Sequence, residues 1–491
     1  MANQKNVLLL IADDLGKQLS CYGDNTIQTP NLDRLAEQGT KFDYAFASTA
    51  SCSGSRSVIY TGLHTHQNGQ YGLASHRHHF VTFDHVKSLP HLLNEAGLWT
   101  GILGKIHVGP SAVYPWQLRK ESDTRDVAVI ADQARSFFEE AKASNRPFAL
   151  TIGYHDPHRD RTRGGFGNTD DYDPRITKIH LEPEDVPIPS FVNDTPGTRS
   201  ELVEYYKSIH RVDQGVGFVL DALRETGLED STLVIFISDN GPPFINSKTT
   251  LYDAGVRLPL IIRQPSTPPA VSPNMISYVD ILPTILDFVG HPEVTDPEKK
   301  RLGRSLLPIL GNSTRLPDFD QTFGSHTFHE VTNYWPTRFI RDRRYKYHRN
   351  LAWRLDFPFA ADLYGSLSWE DIRNSTDTDI LVGGRKLKDY FFRPPEELYD
   401  LEEDPREVHN LAKDPAYAAV LDDLRLRLEK WQRQTEDPWL YKDGVSVWFV
   451  RYHLPAGLRI PDRLDFDPEN PGNKDGPVVP HNLSWGSEAT N

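Results

Sequence analysis

Uninterrupted apolar runs mark two places in the chain, Val7 to Ala12 and Thr232 to Ser238. Neither alternates with polar residues, which is the pattern of strands buried on both faces of a parallel sheet. Trp99 to Leu103, Phe148 to Gly153 and Leu258 to Ile262 read as further strands. Between them the apolar spacing becomes helical. Val127, Ile130, Ala131, Ala134, Phe137 and Phe138 predict a helix over 123–145. Leu202, Ile209, Val216 and Leu223 predict another over 200–226, capped by Gly227. Strands alternating with helices predict an α/β fold with a doubly wound, mostly parallel sheet. From about residue 336 the texture changes. Residues 339–348 alternate like antiparallel strands with one wet face, which would carry their basic side chains. A helix follows with Val420, Leu424, Leu428 and Trp431 on one side. We therefore expect an α/β domain over 1–335 and a smaller C-terminal α+β subdomain over 336–491. Its tail beyond Pro461, rich in Pro, Asn, Asp and Gly, is expected to run extended over the surface.

Composition narrows the function classes. A net charge of −14 over 491 residues argues against a nucleic-acid binder. It leaves room for an anionic ligand held by a local cluster of cations. Two cysteines, Cys21 and Cys52, exclude a disulfide framework. No apolar run reaches membrane-spanning length. With few cysteines and no signal peptide visible at the N-terminus, the sequence leads us to expect a cytoplasmic protein, or a secreted or lysosome-like one if a leader was trimmed. Asn193, Asn312, Asn374 and Asn482 head glycosylation tripeptides, which also arise by chance.

Candidate chemistry gathers at strand ends. The two long runs end in Asp13-Asp14 and Asp239-Asn240. Either pair alone reads as a turn. Two such ends on parallel strands would bring four oxygen donors to one crevice, where open α/β sheets bind ligands. A hard divalent cation relieves the repulsion of such carboxylates. Lys105 and His107 follow a third strand and would share one face in extended backbone. His155-Asp156-Pro157-His158-Arg159 follows a fourth. Cys52, in Ser51-Cys-Ser-Gly-Ser-Arg56, has no CxxC partner, and Arg56 would supply the positive setting that a chemically used cysteine needs. Otherwise it is a small buried hydrophobe.

Cys52-Ser53-Gly54-Ser55-Arg56, with Thr61-Gly62-Leu63 after it, resembles the Cys-x-Pro-Ser-Arg signature of the sulfatase family. Gly54 replaces the usual proline and gives the modifying enzyme a floppier segment to read. The resemblance runs from residue 6 to about 412. A narrower likeness to the sulfamidase branch appears in His66-Gln-Asn-Gly69, Lys105-x-His-Val-Gly-Pro110, His155 to Arg159, Asp213-Gln-Gly-Val-Gly217 and His329-Glu-Val-Thr332.

The resemblance implies an alkaline-phosphatase-like fold and hydrolysis of sulfate esters or sulfamates, N-sulfoglucosamine-like sugars first among them. Cys52 is implied to become formylglycine through a formylglycine-generating enzyme, and its gem-diol to attack sulfur. Asp13, Asp14, Asp239 and Asn240, with converted Cys52, are the implied ligands of Ca²⁺, with Mg²⁺ or Mn²⁺ as alternatives. Arg56 is implied to stabilise the formylglycine hydroxyls. Lys105, Lys248 and His158 are implied to hold the sulfuryl oxygens, and His107 to take the proton that reforms the aldehyde. His158 or Lys248 would protonate the leaving atom, and His329 would line the substrate pocket. A homodimer is implied by resemblance only. Two readings stay beside this one. The first is a phosphoester or phosphonate monoester hydrolase on the same scaffold. The second, if Cys52 is left unconverted, is a catalytically silent protein that binds a metal and a sulfated ligand.

Overall fold

The computed structural model describes residues 5–291 and 301–440. Nine strands form the main sheet: β1 (Asn6–Ala12), β2 (Thr40–Phe46), β3 (Trp99–Gly104), β4 (Leu118–Glu121), β5 (Phe148–Gly153), β6 (Thr232–Ser238), β7 (Arg257–Leu258), β8 (Leu260–Arg263) and β9 (Ala270–Ser277). Their order is β4-β3-β5-β1-β6-β8-β2-β7, with β9 beside β2. β4, β3, β5, β1 and β6 are mutually parallel, so their carboxyl ends lie along one edge. β8 then runs antiparallel to β6, and β2 antiparallel to β8. Pro259 splits the single strand expected over Leu258 to Ile262 into β7 and β8, because proline has no N–H for the ladder.

Helices cover both faces, as the doubly wound pattern predicts. They are α1 (Pro30–Gln38), α2 (Cys52–Thr61), α3 (Val127–Ala143), α4 (Pro196–Glu225) and α5 (Ile281–Val289). Val7, Leu9 and Ile11 of β1 pack into the core shared with α2 and α5. Leu8, Leu10 and Ala12 pack into the core shared with α1, α3 and α4. Each fully buried leucine or isoleucine contributes about 1.5–3 kcal/mol. Two such faces on one strand explain its unbroken apolar run. α3 starts where the Asp126 carboxylate accepts from the N–H groups of Ala128 and Val129. α4 starts earlier than its apolar spacing suggests, because Thr195 caps it and Pro196 takes its first position. No described helix is long and apolar enough to cross a membrane.

A second sheet, antiparallel, contains β10 (Gln321–His326), β11 (Thr337–Asp342), β12 (Tyr345–Asn350) and β15 (Glu396–Asp400). A small hairpin, β13 (Leu381–Val382) and β14 (Arg385–Lys386), lies between β12 and β15 in the chain. The sheet thus begins ahead of residue 336. The expected wet face is overturned. Ile340 and Tyr347 pack under helix α7 (Ala418–Gln434) with Leu424, Leu428 and Trp431. On that face Arg338 donates to Asp437 at 2.7 and 2.9 Å, and Arg349 to Glu429 at 3.3 Å. On the other face, Lys346 pairs with Asp253 at 2.9 Å and Glu407 at 3.1 Å. The basic residues that alternate with apolar ones are buried ion-pair partners, so both faces are covered.

Asn312 and Asn374 are exposed. Asn193 spends its side chain on the main chain of Leu381 and Gly383. Asn482 and the tail beyond Pro461 lie outside the described residues.

Candidate active site

Asp13-Asp14 and Asp239-Asn240 leave neighbouring parallel strands, since Ala12 of β1 sits in register with Ser238 of β6. All four are fully buried. The Asp14 N–H donates to Asp239 Oδ1 at 3.1 Å, and the Asn240 amide donates to Asp14 Oδ1 at 2.6 Å. Asp14 takes a left-handed φ of +64°, unusual for a residue with a side chain, and its carbonyl accepts from the Tyr205 hydroxyl at 3.0 Å.

Cys52 opens α2, and its Sγ lies 3.9 Å from Asp14 Oδ1. It is 1% exposed, and burial pushes its thiol well up. Ser51, the N-cap residue, pairs its hydroxyl with His329 Nδ1 at 2.9 Å instead of capping the helix. The positive end of α2 therefore sits at Cys52 with no side-chain cap. Gly54 has a local reason. A Cβ there would come within 3.0 Å of Thr49 Cγ2 and 3.3 Å of Thr65 Cγ2.

Three cations and one histidine enclose the carboxylates. Arg56, one turn into α2, donates from Nε to Asp239 Oδ2 at 2.8 Å and from Nη1 to the Lys105 carbonyl at 3.2 Å. Lys105 Nζ donates to Asp13 Oδ2. Lys248 Nζ donates to Asp14 Oδ2 at 2.9 Å and to Asp362 Oδ2 at 2.6 Å. His158 Nε2 lies 3.1 Å from Lys248 Nζ and 3.7 Å from Asp14 Oδ2. Its Nδ1 faces the Arg159 carbonyl at 2.6 Å, which can only accept. Nδ1 therefore carries the proton, and neutral His158 offers Nε2 to Lys248 as an acceptor. Burial alone would raise the Asp13 carboxyl, but Lys105, and after it Arg56, hold it well below the usual range.

The segment after β3 is not extended as the sequence reading assumed. Gly104 has φ +77° and His107 φ +55°, so Lys105 and His107 do not share a strand face. Lys105 reaches Asp13, while His107 Nε2 meets the Ser75 hydroxyl at 3.2 Å. His107 Nδ1 is buried without a partner. The adjacent Ala74 N–H donates to Ser53 Oγ at 2.9 Å, which ties this loop to the start of α2. Of the basic residues after β5, only His158 reaches the cluster. His155 bonds to the Ser122 carbonyl, and Arg159 is spent on Glu201. Asp362, on the short helix α6 (Ala361–Tyr364), is a member the sequence did not point to.

Two buried oxygens, Asp13 Oδ1 and Asn240 Oδ1, have no hydrogen-bond partner. Ligand atoms of Asp13, Asp14 and Cys52 lie within 4.8 Å of one another. Hard oxygen donors on three carboxylates and one amide, two of them unclaimed, fit a divalent cation.

Residues 5–291 match the family model described as Sulfatase. The chain belongs to the sulfatase family. Human N-sulphoglucosamine sulphohydrolase is 40% identical to this sulfatase over 476 residues, 90% of this chain and 93% of that protein. An ulvan-active sulfatase of Formosa agariphila is 29% identical over 89% of this chain and 82% of its own. A protein solved in complex with its substrate D-glucosamine-2-N,6-O-disulfate gives a TM-score of 0.64 at 23% identity, over 88% of this chain and 98% of that one. The phosphonate monoester hydrolase of Agrobacterium radiobacter gives 0.64 at 19% identity, over 88% and 96%. At those identities the two structures speak for a shared fold.

The family makes this sulfatase a hydrolase, and it overturns the expected cytoplasmic location. The human relative is a lysosomal enzyme, and a cytoplasmic location has no support in the relatives. The expectation rested on the absence of a visible leader and on few cysteines, and neither specifies a compartment.

Proposed function

We propose that this sulfatase hydrolyses N-sulfoglucosamine-type sulfamates, using formylglycine at position 52 and a divalent cation. The observation that carries this reading is the Lys248 ammonium, which is shared between Asp14 and His158 Nε2 beside Cys52. A sulfamate needs a proton on its departing nitrogen more than an ester needs one on oxygen, because an amide anion is a very poor leaving group. The identity to the human N-sulphoglucosamine sulphohydrolase supports the same substrate class.

Asp13, Asp14, Asp239 and Asn240 are the residues that would hold the cation, calcium first by family resemblance. Bound there, the cation supplies positive charge against the sulfuryl oxygens, and formylglycine supplies a hydroxyl nucleophile. Arg56 orients Asp239 through its Nε and sits 3.8 Å from Asp13 Oδ1. Lys105 and Lys248 place two buried ammonium groups where sulfuryl charge develops. Burial and Lys105 keep His107 neutral, which leaves its unpartnered Nδ1 free to face the proton that it is proposed to accept. His158 holds its proton on Nδ1 and receives the Lys248 N–H at Nε2, which makes Lys248 the donor to the leaving atom. His329, fixed by Ser51, lines the pocket from the second-sheet side.

Purified protein is expected to release sulfate from N-sulfoglucosamine with kcat/KM well above that for a matched phosphate ester. Removing metal with a chelator is expected to abolish turnover and lower the thermal midpoint. Calcium at a hundredfold over its Kd then restores about 2.7 kcal/mol. Turnover and midpoint both indifferent to chelation would sink the cation assignment. The peptide containing Cys52, from the native host, is expected at the mass of the aldehyde. Unmodified thiol in every copy would refute formylglycine despite the close fit of Gly54.

A further inference from the structure

Lys248 is held from two sides, and only one of them belongs to the strand-end cluster. On the other side stands Asp362, whose Oδ2 lies 2.6 Å from Lys248 Nζ and 3.6 Å from His158 Nε2. Its Oδ1 is buried with no hydrogen-bond partner. The Asp362 side chain keeps 25% of its surface exposed, against 1% for Lys248 and 0% for Asp14. With His158, at 26%, it marks the solvent side of the cluster.

The placement is built rather than incidental. Phe359, Ala360 and Leu363 around it are buried in one apolar cluster with Trp335, Trp369 and Tyr390. Just beyond, the Glu201 carboxylate accepts from the N–H groups of Leu367 and Ser368, at 2.7 and 3.2 Å. A carboxylate fixed so firmly, with one oxygen unpaired, lacks a donor. An unpaired buried acceptor costs stability that an arriving N–H or ammonium recovers.

We propose that Asp362 is a specificity-determining residue that recognises the leaving nitrogen. Its Oδ2 fixes Lys248 as proton donor, and its Oδ1 accepts the N–H of the scissile S–N bond. This rests on the sulfamate reading above. Overall, R–NH–SO₃⁻ and water give R–NH₃⁺ and SO₄²⁻. The S–N bond breaks with its electron pair left on nitrogen, nitrogen gains protons to become an ammonium, and sulfur gains the water oxygen. A carboxylate oxygen favours that nitrogen throughout, because it bears hydrogen at the start and positive charge at the end. The bridging oxygen of a sulfate ester bears no hydrogen, so Oδ1 would face its lone pairs.

The test uses converted, metal-loaded enzyme carrying Asp362→Asn or Asp362→Glu. For Asp362→Asn, kcat/KM on N-sulfoglucosamine is expected to fall roughly 30-fold further than on an aryl sulfate, and Asp362→Glu to recover part of the difference. Inhibition by the amine product glucosamine is expected to weaken about tenfold in Asp362→Asn, while that by the uncharged N-acetylglucosamine shifts less than about threefold. Equal losses on both substrates, or equal shifts for both sugars, would reduce Asp362 to a scaffold role and overturn the proposal. A wild-type enzyme that releases no sulfate from N-sulfoglucosamine defeats the functional reading itself. The inhibition by the two sugars still reports on Asp362 in that case.

Discussion

Cys52→Ala is expected to take sulfate release from N-sulfoglucosamine down by about 10⁴-fold or more, because alanine has no thiol to be oxidised to the proposed aldehyde that carries the nucleophile. Folding should survive. The side chain is small, and its loss from the core costs about 1 kcal/mol. The informative control is Cys21→Ala. Cys21 lies half-buried in the turn Ser20–Tyr22, where its partly buried thiol, pushed up to about 12, is inert, and its loss should leave turnover within about twofold. The comparison is read as sulfate released per folded molecule, with folding followed by circular dichroism. A Cys52→Ala protein that retains a tenth of wild-type activity would mean that another group attacks sulfur.

The largest loss of stability is expected from Asp437→Ala, about 3–5 kcal/mol, because it strands the fully buried Arg338 guanidinium. Replacing both partners with apolar residues should cost far less. The same pair carries a pH signature. Burial raises the Asp437 carboxyl, but Arg338, then His66, outweigh it and hold it below its ordinary value. The stability it contributes is therefore complete above about pH 4 and is lost as pH falls through the folded value. Denaturant melts of wild type and Asp437→Asn between neutral and acid pH should converge on the acid side. Parallel curves would contradict the assignment.

The strand ends were legible because two separate signals coincide there. Continuous apolar runs locate β1 and β6, and paired oxygen residues follow each at once, so a parallel sheet leaves them only one meeting place. The segment around Lys105 was half legible. Its residue types were informative, but the left-handed backbone at Gly104, where a Cβ would meet the Gly153 carbonyl, and at His107 is encoded by no alternation pattern. Arg341 and Lys346, within 339–348, misled for a different reason, as their neighbours Arg338 and Arg349 would have. Alternating charge looks the same whether the polar face meets water or meets Asp437, Asp253 and Glu429. Asp362 was invisible. It comes from a single helical turn far along the chain, and only folding brings it to Lys248.

All ten residues of α2 are buried, with Cys52 at its first position. Any enzyme that reads this segment as an open strand must reach it while the chain is still unfolded. On the proposed conversion of Cys52, maturation would be a race between two clocks, closure of the main sheet and visits by the modifying enzyme. A copy that closed first would stay in its thiol form. Specific activity of a preparation would then record the conditions of its synthesis.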